Sequence, residues 1–164
     1  MRVLGIDPGT AITGWAVLDQ SERSELHLVA CGCVNTSKTR TDSERLLEIG
    51  SDIDLLIKKY KPDEAAIENL FFFKNQKTAI TVSQSRGVVL YKLTKRKILL
   101  FEYTPLQVKQ ALTGYGRADK KQIQLMAKNI LNLKFIPKPD DAADAIAIAI
   151  CHINSRKTRK LKNQ

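Results

Sequence analysis

Short apolar segments dominate the first third of the chain and have the pattern of β-strands. Residues 2–7 form such a segment, in which Val3-Leu4-Gly5-Ile6 ends at Asp7. Two further segments cover residues 14–19 and 26–34. Turn-forming residues separate the three, and connections this short favour antiparallel pairing. The sequence therefore predicts that the fold begins with three antiparallel strands.

A change from strand to helix periodicity follows. Thr41 and Glu44 have the spacing of a capping box, and the apolar positions after them recur at helical intervals until Pro62. The compact apolar run at residues 64–70 then predicts a buried strand. Because a helix connects it to the first three strands, we expect this strand to lie parallel to the first.

The second half of the chain is mainly helical in its periodicity. It predicts a helix at 75–93, a strand at 97–103, a short helix at 105–112, an amphipathic helix at 118–132 and a last helix from Asp140 or Asp141. This order predicts an α/β ribonuclease H-like fold, whose five-stranded mixed sheet has three antiparallel strands, then parallel strands, and flanking helices. We expect one domain over residues 1–155, followed by a frayed basic tail at 156–164.

The charge of the chain is distributed unevenly. Residues 1–70 carry 8 Lys and Arg against 12 Asp and Glu, whereas residues 71–164 carry 19 against 5. A localised positive charge favours a polyanionic partner, and nucleic acid is the usual one. An acidic membrane surface is the alternative, but no apolar run approaches the roughly 18 residues of a membrane span. With no signal peptide recognised, we expect a cytoplasmic protein with no membrane partner.

Three cysteines occur at Cys31, Cys33 and Cys151. An odd number without a secretion signal makes a disulfide framework improbable. Cys31 and Cys33 lie on one strand face and, with His27, offer a possible metal site. Cysteines buried in an apolar strand are far more common than metal-binding ones, so we interpret these as core residues.

Four acidic residues are candidates for a shared site: Asp7, Glu68, Asp141 and Asp144. Asp7 and Glu68 each end an apolar strand, and the other two lie on one face of the last helix. Carboxylates that are packed together need a cation to remain ionised. Oxygen ligands favour Mg²⁺ or Mn²⁺ over zinc. Two such ions, about 3.5 to 4 Å apart, would support phosphoryl transfer.

Each acid also has a simpler interpretation. Asp7-Pro8-Gly9 can be a turn, and a related Asp-x-Gly-Thr arrangement holds phosphates in the much larger actin and sugar-kinase folds. Acids at a helix N-terminus are stabilised by the helix dipole. Asp140 is the expected N-cap, which leaves Asp141 and Asp144 as the pair least explained by capping. Glu68 could lie at an edge, although its apolar neighbours favour burial with a partner.

Several blocks together resemble the RuvC family of bacterial Holliday junction endonucleases. They are Gly5-Ile6-Asp7-Pro8-Gly9-Thr10, Ala66-Ile67-Glu68, Phe101-Glu102-Tyr103, Gln107-Val108-Lys109-Gln110 and Asp140-Asp141-Ala142-Ala143-Asp144-Ala145. The resemblance spans nearly the whole chain. It implies a metal-dependent homodimer that nicks two strands of like polarity in a four-way DNA junction. The products would carry 5′-phosphate and 3′-hydroxyl ends, and RuvA and RuvB would be partners in recombination and repair.

The resemblance also assigns residues. Asp7, Glu68, Asp141 and Asp144 match the family's catalytic, metal-binding acids, with Mg²⁺ as the expected ion, Mn²⁺ as a substitute and two ions expected at each site. Lys109 and Lys120 match basic positions at the scissile strand, and Lys121 is an alternative to Lys120. Phe71 matches an aromatic wedge at the junction centre. Phe72, Phe73 and Lys74 complete that predicted DNA-binding loop, although lysines often only face solvent and phenylalanines often fill a core.

Two other functions remain open on the sequence alone. The same fold occurs in YqgF-type and ribonuclease H-type nucleases that act on RNA. A noncatalytic junction-binding scaffold would also carry a basic surface. Four intact acids argue against the scaffold, because a protein that only binds phosphates gains nothing from concentrated negative charge.

Overall fold

The computed structural model describes residues 1–69 and 76–162 of the 164-residue chain, without the side chains of 76–78 and 157–162. Its strands are β1 (Arg2–Asp7), β2 (Ile12–Gln20), β3 (Leu26–Asn35), β4 (Glu64–Glu68) and β5 (Leu99–Tyr103). They form one five-stranded sheet in the order β3-β2-β1-β4-β5. The pairs β3-β2 and β2-β1 are antiparallel, and the pairs β1-β4 and β4-β5 are parallel. This is the mixed sheet that the sequence predicts.

The helices are α1 (Asp42–Tyr60), α2 (Gln76–Lys95), α3 (Pro105–Thr113), α4 (Lys120–Ile130) and α5 (Asp140–Lys162). Capping boxes begin three of them, at the N-caps Thr41, Thr104 and Asp119. These caps satisfy amide groups that have no partner within the helix. None of the helices in the described part of the chain is long and apolar enough to cross a membrane.

Two separate apolar cores lie on opposite faces of the sheet. On one face, Leu4 and Ile6 of β1 pack with buried residues of α1 and α2. On the other face, Val3 belongs to a core built with α3, α4 and α5. Alternating side chains along β1 therefore contact different layers, as expected for a strand covered on both sides.

Helix α5 approaches the sheet closely because small residues line the contact. A Cβ atom on Gly5 would collide with the backbone of Ala145 and with Ala149, and one on Gly14 would collide with the backbone of Asp141. The amino-terminal part of α5 consequently lies directly over β1 and β2. This close packing brings the acidic end of the helix to the end of β1.

Several predicted boundaries are wrong, for identifiable backbone reasons. Strand β5 begins at Leu99 instead of 97, because Lys97 has a left-handed backbone with φ 58°. Helix α4 is shorter than 118–132, because Asp119 caps it and Asn132 has φ 49°. Strand β4 ends at Glu68, and the rest of the predicted 64–70 strand includes Leu70, outside the described residues.

Two expectations for the last helix are also corrected. Asp140 is the first residue of α5 rather than its N-cap, since the amides of Ala142 and Ala143 donate to the carbonyl of Pro139. The carboxylate of Asp140 instead accepts a hydrogen bond of 3.1 Å from Gln124. The segment predicted to fray from residue 156 is helical to Lys162. The proposed boundary between a domain and a tail at 155/156 stays a prediction.

Candidate active site

Asp7 and Glu68 reach the site from neighbouring parallel strands. Ile6 of β1 pairs with Ile67 of β4, so Asp7 and Glu68 follow at the same level of the sheet. Both side chains lie on the face covered by α5, opposite to the face occupied by Ile6 and Ile67. The strand pairing thus explains how two acids that are 61 positions apart come together.

Asp144 completes this group from α5. With Asp7 and Glu68 it lines a cavity of about 230 Å³. The other lining residues are Pro105, Val108, Lys109, Lys120, Ile123, Ala147 and Ile148. The three acids therefore lie among two lysines and an apolar wall supplied by α3, α4 and α5.

Lys120 is the closest basic partner of the acids. Its Nζ lies 3.0 Å from the Oδ2 of Asp144 and 3.6 Å from the Oδ2 of Asp140. Lys109 stands on α3 at the same cavity, where its charge acts on Glu68. Lys121, the predicted alternative to Lys120, is exposed and does not line the cavity.

The acids strongly perturb one another. Burial raises the pKa of Asp7 from 3.8 to about 7, and neighbouring carboxylates add to the shift: Glu68, Asp144 and Asp141. Lys120 opposes it. Protonation of Asp7 near neutral pH therefore relieves the concentration of negative charge when no cation is bound.

Glu68 and Asp144 shift in the same direction. Burial, and then the charge of Asp144, raises the pKa of Glu68, while Lys109 lowers it. Burial also raises the pKa of Asp144, against the hydrogen bond from Lys120. The two lysines therefore offset only part of the negative charge, so the cluster has the electrostatics of a cation site.

Asp141 occupies a neighbouring position rather than the same cavity. It lines a second cavity, of about 510 Å³, beside the turn that follows β1, together with Gly9, Thr10, Ala11, Ile12, Arg45, Thr81 and Val82. Its charge still raises the pKa values of Asp7 and Asp144. The structure thus brings Asp7, Glu68 and Asp144 into one cavity and places Asp141 at its border.

The donor set fits a hard divalent cation. The acids supply carboxylate oxygens, which suit Mg²⁺ or Mn²⁺. In the described part of the chain, no three His, Cys, Asp or Glu side chains are yet arranged as a metal-binding group. Lys120 pairs with Asp144 instead, so metal binding requires these side chains to rearrange.

The remaining predicted residues divide into two groups. The loop of Phe71, Phe72, Phe73 and Lys74 lies outside the described residues. The cysteines are free, Cys31 and Cys33 are half-buried, and Cys151 is buried. His27 is exposed, and the described residues form no metal group with it. Cys151 lies in the apolar core and Cys31 packs against it, as interpreted, whereas Cys33 is only half-buried.

Sequence reasoning missed the residues that shape and support the site. Val108 and Ile123 form part of the cavity wall, but their helical periodicity only predicts burial. Glu64 is a buried acid at the start of a run that the sequence predicts only as an apolar strand. Its position four residues before Glu68, on the same strand face, was the available signal.

Comparison with known proteins places this geometry in a family. The sequence profile described as "Crossover junction endodeoxyribonuclease RuvC" matches residues 3–152, which include all four candidate acids. The RuvC protein of Caldicellulosiruptor saccharolyticus is 52% identical over 155 residues, covering 94% of this chain and 93% of that protein. The RuvC protein of Finegoldia magna is 50% identical over 161 residues and 98% of each chain.

A solved structure agrees with these sequence matches. The structure described as "T. thermophilus RuvC in complex with Holliday junction substrate" superposes with a TM-score of 0.88 at 31% identity, covering 96% of each chain. The agreement supports the predicted ribonuclease H-like fold. Since both the profile and these relatives span almost the whole sequence, this chain belongs to the RuvC family of crossover junction endodeoxyribonucleases.

Proposed function

We propose that this protein resolves four-way DNA junctions by metal-dependent, paired nicks in strands of like polarity, leaving 5′-phosphate and 3′-hydroxyl ends. Family membership supports a nuclease that acts on crossover junctions. The observation that carries the proposal is the convergence of Asp7, Glu68 and Asp144 with Lys109 and Lys120 at one cavity. Acids and lysines together suit a site that holds both a cation and a phosphodiester.

The RuvC family is metal-dependent, and the ions proposed here are Mg²⁺, with Mn²⁺ as a substitute, two at each site. Asp7, Glu68 and Asp144 would hold them, with Asp141 from the border of the cavity. When bound, such ions activate the attacking water and stabilise the leaving oxygen of an in-line displacement. The raised pKa values of Asp7 and Glu68 support this proposal, because burial and then neighbouring carboxylates make their charged forms unfavourable until a cation binds.

The lysines would bind and orient the scissile strand. Lysine is a compact point charge that suits phosphate oxygens, and counterion release favours such contacts. Lys120 is held by Asp144 and Asp140 before substrate arrives, so its ammonium group is already placed at the mouth of the cavity. Lys109 lies beside Glu68 on the same cavity. We propose that both lysines approach the phosphate as the acids take up cations.

The apolar wall has a complementary role. Val108 and Ile123 are 7% and 6% exposed and limit the water that can reach the acids from α3 and α4. A lower local dielectric strengthens the attraction between the lysines and a phosphate. The wall would therefore limit access of bulk water to the acids and strengthen their lysine neighbours' contact with a bound strand.

Further proposals follow from the family. They are a homodimer that presents two sites to one junction, cooperation with RuvA and RuvB, residence in the cytoplasm, and a DNA-contacting loop at Phe71, Phe72, Phe73 and Lys74, with Phe71 as the wedge. The excess of 19 Lys and Arg over 5 Asp and Glu in residues 71–164 supports an extended DNA surface. Lys121 is retained as a contact with the DNA backbone outside the cavity.

The substrate is tested by offering the protein end-labelled four-way junction, linear duplex and RNA/DNA hybrid side by side with Mg²⁺. The proposal predicts symmetric nicks in the junction alone, and ligase should seal the products. Preferred cleavage of the hybrid would instead support a ribonuclease H-type enzyme. Binding of the junction without cleavage in Mg²⁺ or Mn²⁺ would support a noncatalytic scaffold.

A further inference from the structure

A chain of buried polar side chains crosses the molecule beneath the candidate active site. The hydroxyl of Tyr103 on β5 lies 2.8 Å from the Nδ1 of His152 on α5, and the Nε2 of His152 lies 2.7 Å from the carboxylate of Glu64 on β4. Arg156, one turn further along α5, donates to the same carboxylate at 3.1 Å. These four residues, called here the polar clamp, connect three elements of the fold.

Three of the four clamp residues are almost completely removed from solvent, whereas the Arg156 side chain is 36% exposed. His152 is 0% exposed, Tyr103 is 2% exposed and Glu64 is 7% exposed. Phe101 covers the imidazole, with ring centroids 4.5 Å apart. Buried ionic groups of this kind add little net stability compared with apolar residues, and their best-attested use is to fix register. The position of the clamp indicates which register it fixes.

The clamp and the candidate active site share two surfaces: one face of strand β4 and one face of helix α5. Glu64 and Glu68 share one face of β4, and Asp144 and His152 share one face of α5. Four strand residues span about 13 Å, and eight helical residues span about 12 Å. Because the two elements run in opposite directions, pairing Glu64 with His152 places Asp144 at the level of Glu68. Because the distance from Glu64 to Glu68 along β4 matches that from His152 to Asp144 along α5, the clamp contact sets how the two acids face each other.

Nonpolar packing also holds α5 against the sheet. Ile146, Ile148 and Ile150 are fully buried in the same core, and Gly5 lets the helix backbone approach β1 closely. Burial of this kind stabilises the contact but is not directional. The hydrogen bonds of the clamp add a directional contact at the far end of the helix.

We propose that Glu64, His152 and Tyr103 are positioning residues, which hold α5 in the register that sets Asp144 opposite Glu68 and thereby set the affinity of the site for divalent cations. The inference rests on the proposed function, in which those two acids hold the ions. None of these three residues lines the cavity, so they act through the placement of α5.

The test is a Mn²⁺ titration of the intact protein without DNA, followed by the electron paramagnetic resonance signal of free Mn²⁺. Two variants perturb the clamp gently: Tyr103→Phe removes one hydroxyl, and Glu64→Gln keeps the side-chain size. Each should weaken Mn²⁺ binding by about 10-fold, the lower end of the loss seen when outer-shell partners of metal ligands are removed. The Mn²⁺ concentration for half-maximal junction cleavage should rise by the same factor, while the rate at saturating Mn²⁺ and the junction affinity change little.

A matched control separates positioning from general stability. Ile53 lies in the core on the opposite face of the sheet, and Ile53→Val lowers stability without touching α5. Clamp variants that weaken Mn²⁺ binding, beside an Ile53→Val protein with lowered melting temperature and unchanged binding, support the proposal. Equal Mn²⁺ affinity in Tyr103→Phe, Glu64→Gln and the parent protein overturns it. Asp144→Asn should weaken binding more than either; if it does not, the proposed metal site fails and the clamp proposal fails with it.

Discussion

Asp7 and Glu68 end two adjacent parallel strands at the same level, one residue beyond the paired residues Ile6 and Ile67. Both carboxyl groups lie on the face that α5 covers, and both have raised pKa values. Burial is the main cause of both shifts, and repulsion between neighbouring carboxylates adds to it. This relationship is the physical basis of the proposed cation site, and it predicts how the metal-free protein responds to pH.

Asp7→Asn should stabilise the metal-free protein at pH 8. Burial, and then the neighbouring acids, raise the pKa of Asp7 in the folded protein from 3.8 to about 7. Its contribution to stability is therefore fully present below about 4 and is lost as pH rises from there through about 7, with an upper limit of about 4 kcal/mol. Thermal unfolding of both proteins in chelator at about pH 4 and about pH 8 measures the gain, which should be much larger at the higher pH. Glu22→Gln, on an exposed turn, should show no such gain. An Asp7→Asn protein less stable than the parent at about pH 8 would contradict the unfavourable burial of a charged Asp7 beside other acids.

Lys120→Ala should reduce junction cleavage by about 10- to 100-fold, because it removes a positive charge from the cavity where the phosphate is proposed to react. The adjacent Lys121→Ala is the matched control. Lys121 lies outside the cavity, and its loss should change cleavage by less than about threefold while slightly reducing the salt dependence of binding. Single-turnover rates with saturating protein compare the two. Equal losses would show that both lysines serve only general DNA attraction.

Gly14→Ala should destabilise the protein by about 1 to 3 kcal/mol and should also weaken Mg²⁺-dependent cleavage. The new Cβ would collide with the backbone of Asp141 and displace the first turn of α5. Gly87→Ala is the opposite case, since a Cβ placed there meets no described atom within 4 Å outside its chain neighbours and the nearby backbone of its own helix. The substitution should stabilise helix α2 by up to about 1 kcal/mol. Chemical denaturation measures both. A neutral Gly14→Ala would refute the close contact between α5 and β2.

The sequence predicts most of this architecture, because strand and helix periodicities differ clearly along it. The fold order and the sheet agree with the structure, and three of the four predicted acids meet in one cavity while Asp141 lines a neighbouring one. Boundaries failed at Lys97 and Asn132, where left-handed backbones end elements that hydrophobicity alone would extend. The buried contact between Glu64 and His152 was not predicted, for another reason. A buried polar pair depends on the register between a strand and a helix 88 positions apart, which no local pattern encodes.

Asp54→Asn should lower stability at pH 7 by about 0.5 to 1 kcal/mol. Hydrogen bonds from Lys92 and then Arg96 lower the pKa of Asp54, so its contribution is present above the unfolded value, near 4, and is lost as pH falls through the folded value. Asp52→Asn, two positions away on α1, should not destabilise, because burial raises the pKa of that carboxyl. Unfolding curves from pH 3 to 7 test the pair. If Asp54→Asn still lowers the free energy of unfolding at about pH 3, the stabilisation does not come from the charge of Asp54.

The most direct test of the proposed metal site compares cleavage and binding of one labelled four-way junction by the parent protein and by Asp7→Asn. In Mg²⁺ the parent should produce paired symmetric nicks, and excess chelator should abolish them. Asp7→Asn should bind the junction with an affinity within about threefold of the parent, because it changes no positive group, and should cleave at least about 1,000-fold more slowly. Cleavage by Asp7→Asn at the parental rate, or by the parent in excess chelator, would contradict the assignment of these acids to a catalytic metal site.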